Sequence, residues 1–192
     1  MARLIRSLFW ATLACVALVL ATAVPAAAAA AADEPCADAR LTPDRDSLDR
    51  ARAATLCLLN AERAKRDLAP LRDNEQLSRA AQAYSSRMVR ERFFAHVCPE
   101  GSTLNKRVRR GTRYLTGAVR NWSLGENLGW GTRSLSTPRA TVEAWMRSSG
   151  HRRNILNARF RDIGIGVVAG APARVLGAAA TYTTDFGFRM RN

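Results

Sequence analysis

The hydrophobic period of this chain changes once, and that change sets the fold class. In the first two thirds, apolar residues recur at helical spacing. Leu77, Ala80, Ala81, Tyr84 and Met88 share one face of a helix, with Arg79, Gln82, Ser86 and Arg90 on the opposite one. An earlier helix-like pattern runs from Leu48 to about Asp67. Ser102 or Thr103 can cap a short third helix that stops at Gly111. A fourth starts at Thr137-Pro138, a cap residue followed by proline in the first turn. Its inner stripe is Val142, Trp145, Met146 and Ser149, and Gly150 is expected to stop it. After residue 160 the pattern alternates. Ile163, Ile165 and Val167 are separated by glycines, and the turn Gly170-Ala171-Pro172 leads to a second strand expected over Val175 to Phe186. Helices first and strands later predict an α+β domain, with helices packed on a small antiparallel sheet.

The N-terminus obeys a different logic. Arg3 and Arg6 precede an apolar stretch from Leu8 to Val24, and the alanine run Ala26 to Ala32 offers several small-x-small cleavage frames. Residues 1–32 are therefore expected to be a cleaved signal peptide, 33–47 a polar arm and 48–192 the domain. Cys15 lies inside the apolar stretch, where a lipid-attachment cysteine would end it, so lipidation is not expected. An exported domain follows, secreted or held at the cell envelope.

About 160 residues remain, enough to bury a core without heavy cross-linking. The full chain carries 30 basic and 16 acidic residues, a net charge of +14, and only Lys65 and Lys106 are lysines. Such a field favours anionic neighbours: phosphate-rich wall polymers, anionic lipids or nucleic acid. The arginines are spread along the chain rather than clustered. Arg109, Arg110, Arg113 and Arg120 near Tyr114 and Trp122 are the nearest thing to a nucleic-acid pattern, and a solvated loop with buried anchors explains them better. Nucleic acid is thus not the expected partner, and a monomer is expected.

Cys36, Cys57 and Cys98 survive cleavage, and outside the cell pairing is the default. Three pairings can be drawn. A Cys36–Cys57 bridge would pin the arm to the first helix and contribute roughly 3 kcal/mol, leaving Cys98 unpaired.

The mature chain has two histidines, His96 and His151, each at the end of an expected helix, where side chains can converge on a cleft. Glu126 lies in the glycine-rich passage Leu124 to Gly131, and Glu143 sits at the edge of the fourth helix's inner stripe. If Gly150 lets the chain reverse, His151 can return toward Glu143. Two imidazoles and two carboxylates can bind a divalent metal, typically zinc. They can equally close into a hydrogen-bonded cluster, each carboxylate orienting one imidazole.

These residues fall into a pattern. The stretch from Trp145 to Leu156, with Gly150-His151 and Asn154-Ile155-Leu156, resembles the central signature of the CAP/SCP superfamily. That group includes cysteine-rich secretory proteins, antigen 5 and plant pathogenesis-related proteins. Leu59-Asn60-Ala61-Glu62-Arg63, Phe93-Phe94-Ala95-His96, Gly125-Glu126-Asn127 and Thr183-Thr184-Asp185-Phe186-Gly187 follow the family's order. The resemblance covers about Leu48 to Phe188 and is nearest to the short bacterial secreted form. It implies a three-layer α-β-α sandwich and a large cleft lined by His96, Glu126, Glu143 and His151, with Asn127 and Cys98 beside it. By that likeness His96 and His151 would be the ligands of zinc or another divalent metal. The sequence departs from the pattern at Tyr182, Thr184 and Cys98. A thiol two residues from His96 can join a metal shell or be oxidised.

The expected function is a non-enzymatic extracellular or cell-envelope binding domain for a lipid, sterol-like or anionic wall ligand. The alternative is a zinc-dependent hydrolase, a peptidase in class, with metal-bound water as nucleophile and a glutamate as base. The chain has neither His-Glu-x-x-His nor a Gly-x-Ser-x-Gly elbow. A third reading leaves the four residues as a polar cluster that only stabilises the fold.

Overall fold

A computed structural model describes residues 35–191. The predicted leader, 1–32, lies outside the described residues. Helix α1, Leu48–Ala64, buries Ala51, Ala54, Thr55, Leu58 and Leu59, the i, i+3, i+4, i+7, i+8 series of one face. Strand β1, Arg72–Asp73, leads into α2, Glu75–Glu91, whose cap Asn74 accepts from the backbone N–H groups of Gln76 and Leu77. Helix α3, Leu104–Gly111, is capped by Thr103. Strand β2, Val119–Thr132, is followed by a single 3-10 turn, Arg133–Ser136. Then come α4, Pro138–Arg147, α5, Ser149–Ile155, β3, Asp162–Ala169, and β4, Ala179–Arg191.

The sheet order is β1-β3-β4-β2. The pairs β3–β4 and β4–β2 are antiparallel, while the two-residue β1 adds a short parallel pair to β3. Helices cover both faces. On one, Trp145 of α4 meets Tyr182 edge-on, and Phe160 stacks on Phe186 at 5.6 Å. The other belongs to α2, which packs unusually close. A Cβ on Gly164 or Gly166 would lie within 2.4 Å of the α2 backbone, so the glycines that alternate along β3 are the seat of α2.

That closeness corrects the expected polar face of α2. Gln82 donates to Val167 O and accepts from Val167 N, both at 3.0 Å, and Ser78 Oγ accepts from Ile165 N. Beyond β1 the edge of β3 has no strand partner among the described residues, and α2 side chains satisfy it instead.

Three other expectations are revised. Leu124 to Gly131 is the centre of β2, paired residue for residue with β4. Val175 to Ala178 belong to the β3–β4 connection, and the last strand begins at Ala179. Gly150 does not stop the fourth helix. The break falls at Ser148, whose backbone is extended, and Gly150 lies in the first turn of α5. His151 is therefore carried on a new helix rather than on a reversing loop.

Cys36 and Cys57 are bridged, with Cα atoms 5.8 Å apart. The arm is further held by Arg50 on Asp38 and by Arg139 N–H donating to Ala39 O. Residues from Pro35 onward form one compact unit with its own core. No helix among the described residues is long and apolar enough to cross a membrane.

Candidate functional site

The His96 segment hangs between α2 and α3, and both helices hold its backbone. The Tyr84 hydroxyl donates to Ala95 O at 2.5 Å. Arg107 of α3 donates through Nη1 to His96 O at 3.1 Å and to Ser102 O at 3.2 Å. The same guanidinium lies 3.4 Å from the centroid of the Tyr84 ring. Burial pushes the Tyr84 phenol well above its ordinary range, so it serves as a neutral donor.

Glu126 is buried on β2 and bridges His96 and Arg107. Its Oε1 lies 2.8 Å from His96 Nδ1, and its Oε2 accepts from Arg107 Nη2. The hydrogen bond to Glu126 raises the His96 pKa above its ordinary value, against a smaller opposing effect of burial. His96 is thus fixed at one ring nitrogen, with its side chain otherwise more than half exposed.

His151 arrives from the other side of the edge strand β2. Asn127 Nδ2 donates to His151 O, and Asn154 Nδ2 donates to Asn127 Oδ1 and Glu126 O. These bonds tie the start of α5 to β2 at the residues that flank the cluster. The His151 pKa is lowered, first by burial and then by the charge of His96. His151 Nδ1 is buried without a hydrogen-bond partner.

Glu143 stands apart from this arrangement. It is exposed on α4, and its Oε1 lies 3.4 Å from Arg139 Nη1. It shares a groove with His151 but no hydrogen bond. Cys98 is a free thiol buried among Tyr84, Met88 and Leu128, which places it in the small core beneath His96.

Three residues of the site carried no functional reading in the sequence. Arg107 and Tyr84 were hidden because one looked like a solvated arginine and the other like core. Asp185 is the third. It pairs in register with Glu126, is fully buried, and neither carboxyl oxygen has a hydrogen-bond partner. Burial, and then the charge of Glu126, hold its pKa well above the usual carboxylate range. The signal was there: an acidic residue on the inward-facing register of a buried strand.

A groove of about 530 Å³ opens beside His151. Leu128, Trp130, Leu135 and Trp145 wall it, with Phe94 at one side, Arg147 as its cation, and His151, whose charged form burial disfavours, as a polar group. Trp145 is fixed by its indole N–H donating to Leu128 O at 2.8 Å. A larger groove, about 730 Å³, lies between α1 and α2 and contains none of the four cluster residues.

No group of three His, Cys, Asp or Glu among the described residues is arranged to hold a metal ion. Two imidazoles alone fall short of the three protein ligands of a hydrolytic zinc centre.

A mixed sheet between helical layers, with His96, Glu126 and Asn127 gathered at the edge strand and His151 across it, defines an SCP-type domain. The profile of the cysteine-rich secretory protein family (CAP) matches residues 56–184, and the chain belongs to that family. It is 42% identical over 112 residues to the uncharacterized protein YkwD of Bacillus subtilis strain 168, covering 58% of this chain and 40% of YkwD. It is 29% identical over 138 residues to the uncharacterized membrane protein YlbC of the same organism, covering 72% and 35%. The chain thus spans well under half the length of these curated relatives. Among solved structures, an extracellular SCP-domain protein from Bacillus anthracis superposes with a TM-score of 0.58 at 25% identity, covering 78% of this chain and 44% of that one. An outer surface protein from Borrelia burgdorferi gives 0.55 at 20%, covering 69% and 88%, a likeness of fold.

Proposed function

We propose that this protein is a non-enzymatic binding domain, acting outside the cell or at its envelope, whose ligand is an amphiphile with an anionic head. The observation that carries this reading is the groove beside His151. Its walls are aromatic and aliphatic, Arg147 is its cation, His151 is a polar group beside it, and Glu143 is paired with Arg139. An alkyl chain would lie along Trp130, Leu128 and Leu135, and the head would meet Arg147 and His151. Export is supported by the extracellular SCP-domain neighbour and by the leader-like N-terminus.

Calorimetric titration with dodecyl phosphate below its micellar concentration tests the proposal. Saturable one-to-one binding is expected, weakened at least tenfold by Ala144→Trp, which fills the groove. Absence of saturation, or equal binding by Ala144→Trp, removes the groove as the site.

The metal reading rests on His96 and His151 meeting adjacent residues of β2, His96 at the Glu126 carboxyl and His151 through its carbonyl at Asn127. Zinc titration of the wild type beside His96→Ala/His151→Ala decides it. Binding lost in the double variant supports an imidazole site; binding unchanged by it sinks one.

A further inference from the structure

Three grooves at the β3–β4 hairpin end of the molecule run into one another. The groove beside His151 shares Ala140 and Glu143 with a second, and the second shares Ala178 with a third. Arg40, Arg133 and Arg139 line the second; Arg45, Arg92 and Arg174 line the third. The acidic residues lining these two are Glu143, held by Arg139, and Asp44, bonded by Ser47. Arg45, Arg92, Arg133 and Arg174 are exposed, and among the described residues no side-chain hydrogen bond or ion pair engages them.

The apolar surface concentrates at the same place. Seven large apolar side chains are exposed among the described residues, and five of them line these grooves or their rims: Phe94, Trp130, Leu135, Val175 and Leu176. Leu176, beside Val175 in the hairpin connection, is 88% exposed, and Leu135, in the turn after β2, is 68% exposed. Singly scattered apolar residues need no explanation, but a group of this kind interleaved with cations does. A wall polymer or a nucleic acid would engage the arginines and leave Leu176 and Leu135 in water. A bilayer interface accepts both, leucines among the acyl chains and guanidinium groups on the phosphates.

We propose that this end of the molecule docks on an anionic phospholipid bilayer, with Leu176, Val175 and Leu135 entering the headgroup layer and Arg133, Arg174, Arg92 and Arg45 binding lipid phosphates. The groove beside His151 adjoins the one lined by Arg133, with which it shares Ala140 and Glu143, so its amphiphile would be drawn from or delivered to the bilayer. That last clause rests on the ligand reading above; the docking face does not.

The polypeptide beginning at Pro35 is co-sedimented with vesicles of equal phosphatidylglycerol and phosphatidylcholine, and with phosphatidylcholine alone. At least tenfold tighter association with the anionic vesicles is expected. Leu135→Ser/Leu176→Ser, which leaves the charge unchanged, is expected to weaken it at least fivefold, as is Arg133→Gln/Arg174→Gln. Arg110→Gln/Arg191→Gln, an equal charge change elsewhere on the surface, is expected to stay within twofold. All six positions are exposed, and unchanged melting temperatures verify folding. Equal retention on both vesicle types overturns the proposal. So does a leucine variant that binds as well as the wild type, particularly if soluble poly(glycerol phosphate) competes fully, because the face is then a polyanion site. Loss of vesicle binding with dodecyl phosphate binding intact would remove the docking face and leave the ligand groove standing.

Discussion

Glu126 and Asp185 stand opposite one another across β2 and β4, two buried carboxyl groups of which only Glu126 has hydrogen-bond partners. Arg107 and His96 take both Glu126 oxygens, so the compensating positive charge is spent on one member of the pair. Burial, and then the charge of Glu126, raise the pKa of the other, Asp185, and favour its protonated form. The site beside His96 therefore gathers two acidic side chains, Glu126 and Asp185, and two basic ones, His96 and Arg107.

Asp185→Asn is expected to stabilise the protein near pH 7. The raised pKa means that the folded chain holds a proton the unfolded chain releases above about pH 4. Stability of the wild type then falls as pH rises from about 4 toward the folded value. Asparagine cannot ionise, so that loss disappears. Urea denaturation between pH 3 and 8 should show the two proteins converging below pH 4 and diverging above it, with the asparagine variant the more stable. Parallel curves would mean that Asp185 is ionised in the folded state.

Glu126→Gln should bring the His96 pKa down, because the Glu126 carboxylate is the main cause of its elevation. Ring-proton NMR titration reads this directly. Global stability reads it poorly, because the two histidines act with opposite signs. The raised His96 contributes stability that is present below about pH 6.5 and lost as pH rises through its folded value. The lowered His151 contributes stability that is present above about pH 6.5 and lost as pH falls through its folded value. A His96 titration unmoved by Glu126→Gln would break the assigned pairing.

Arg107→Met should be strongly destabilising, by about 3 kcal/mol or more, since it leaves the buried Glu126 charge with His96 alone. It also frees the carbonyls of His96 and Ser102. Adding Glu126→Gln to Arg107→Met should recover part of the loss, because no unpaired buried charge then remains. Chemical denaturation of the four proteins in the cycle measures the coupling.

What the sequence made legible follows from where side-chain pattern alone decides structure. The face of α2 could be read because five buried residues recur at helical spacing with nothing competing. The Cys36–Cys57 bridge stood among three pairings, and only the placement of the arm against α1 selects it. Strand β2 was missed because Gly125, Gly129 and Gly131 dilute its alternation. Those glycines serve neighbours: a Cβ on Gly131 would lie 2.2 Å from Leu135 O, and one on Gly129 would crowd Trp145. The break before α5 was misplaced because glycine is the usual stop signal, whereas here the extended backbone of Ser148 ends α4. Arg107 was unreadable as a site residue, since its role depends on helix approach between segments distant in sequence.

Loss of the disulfide in Cys36→Ser/Cys57→Ser should cost about 3 kcal/mol through the freed arm. The fold should survive, because α1 stays packed on the sheet core through Ala51, Leu58 and Leu59 without the bridge. A cooperative melt at lower temperature, with His96 NMR shifts unchanged, is the expected outcome. Altered His96 shifts would mean that the arm also positions the site.

Arg63 supplies the strongest single test of the core. It is fully buried on α1 without a carboxylate partner among its bonds. Its guanidinium instead donates to four backbone carbonyls: Ala69, Ile155, Asn157 and Phe160. Ile155 O is at the last turn of α5, where carbonyls lack helical partners and carry partial negative charge. Arg63 thus closes α5, which carries His151, onto α1. Burial lowers its pKa from the ordinary arginine value, yet the four acceptors compensate the charge. Arg63→Lys keeps the charge but presents three donors from a point rather than a planar fork, and should cost about 2 kcal/mol. Arg63→Met leaves all four carbonyls without that donor and should cost more than the lysine variant. Denaturant midpoints rank the two, and amide exchange in α5 should rise in both before exchange in α2 does. Equal protection of α5 in wild type and Arg63→Met would show that other contacts hold that helix.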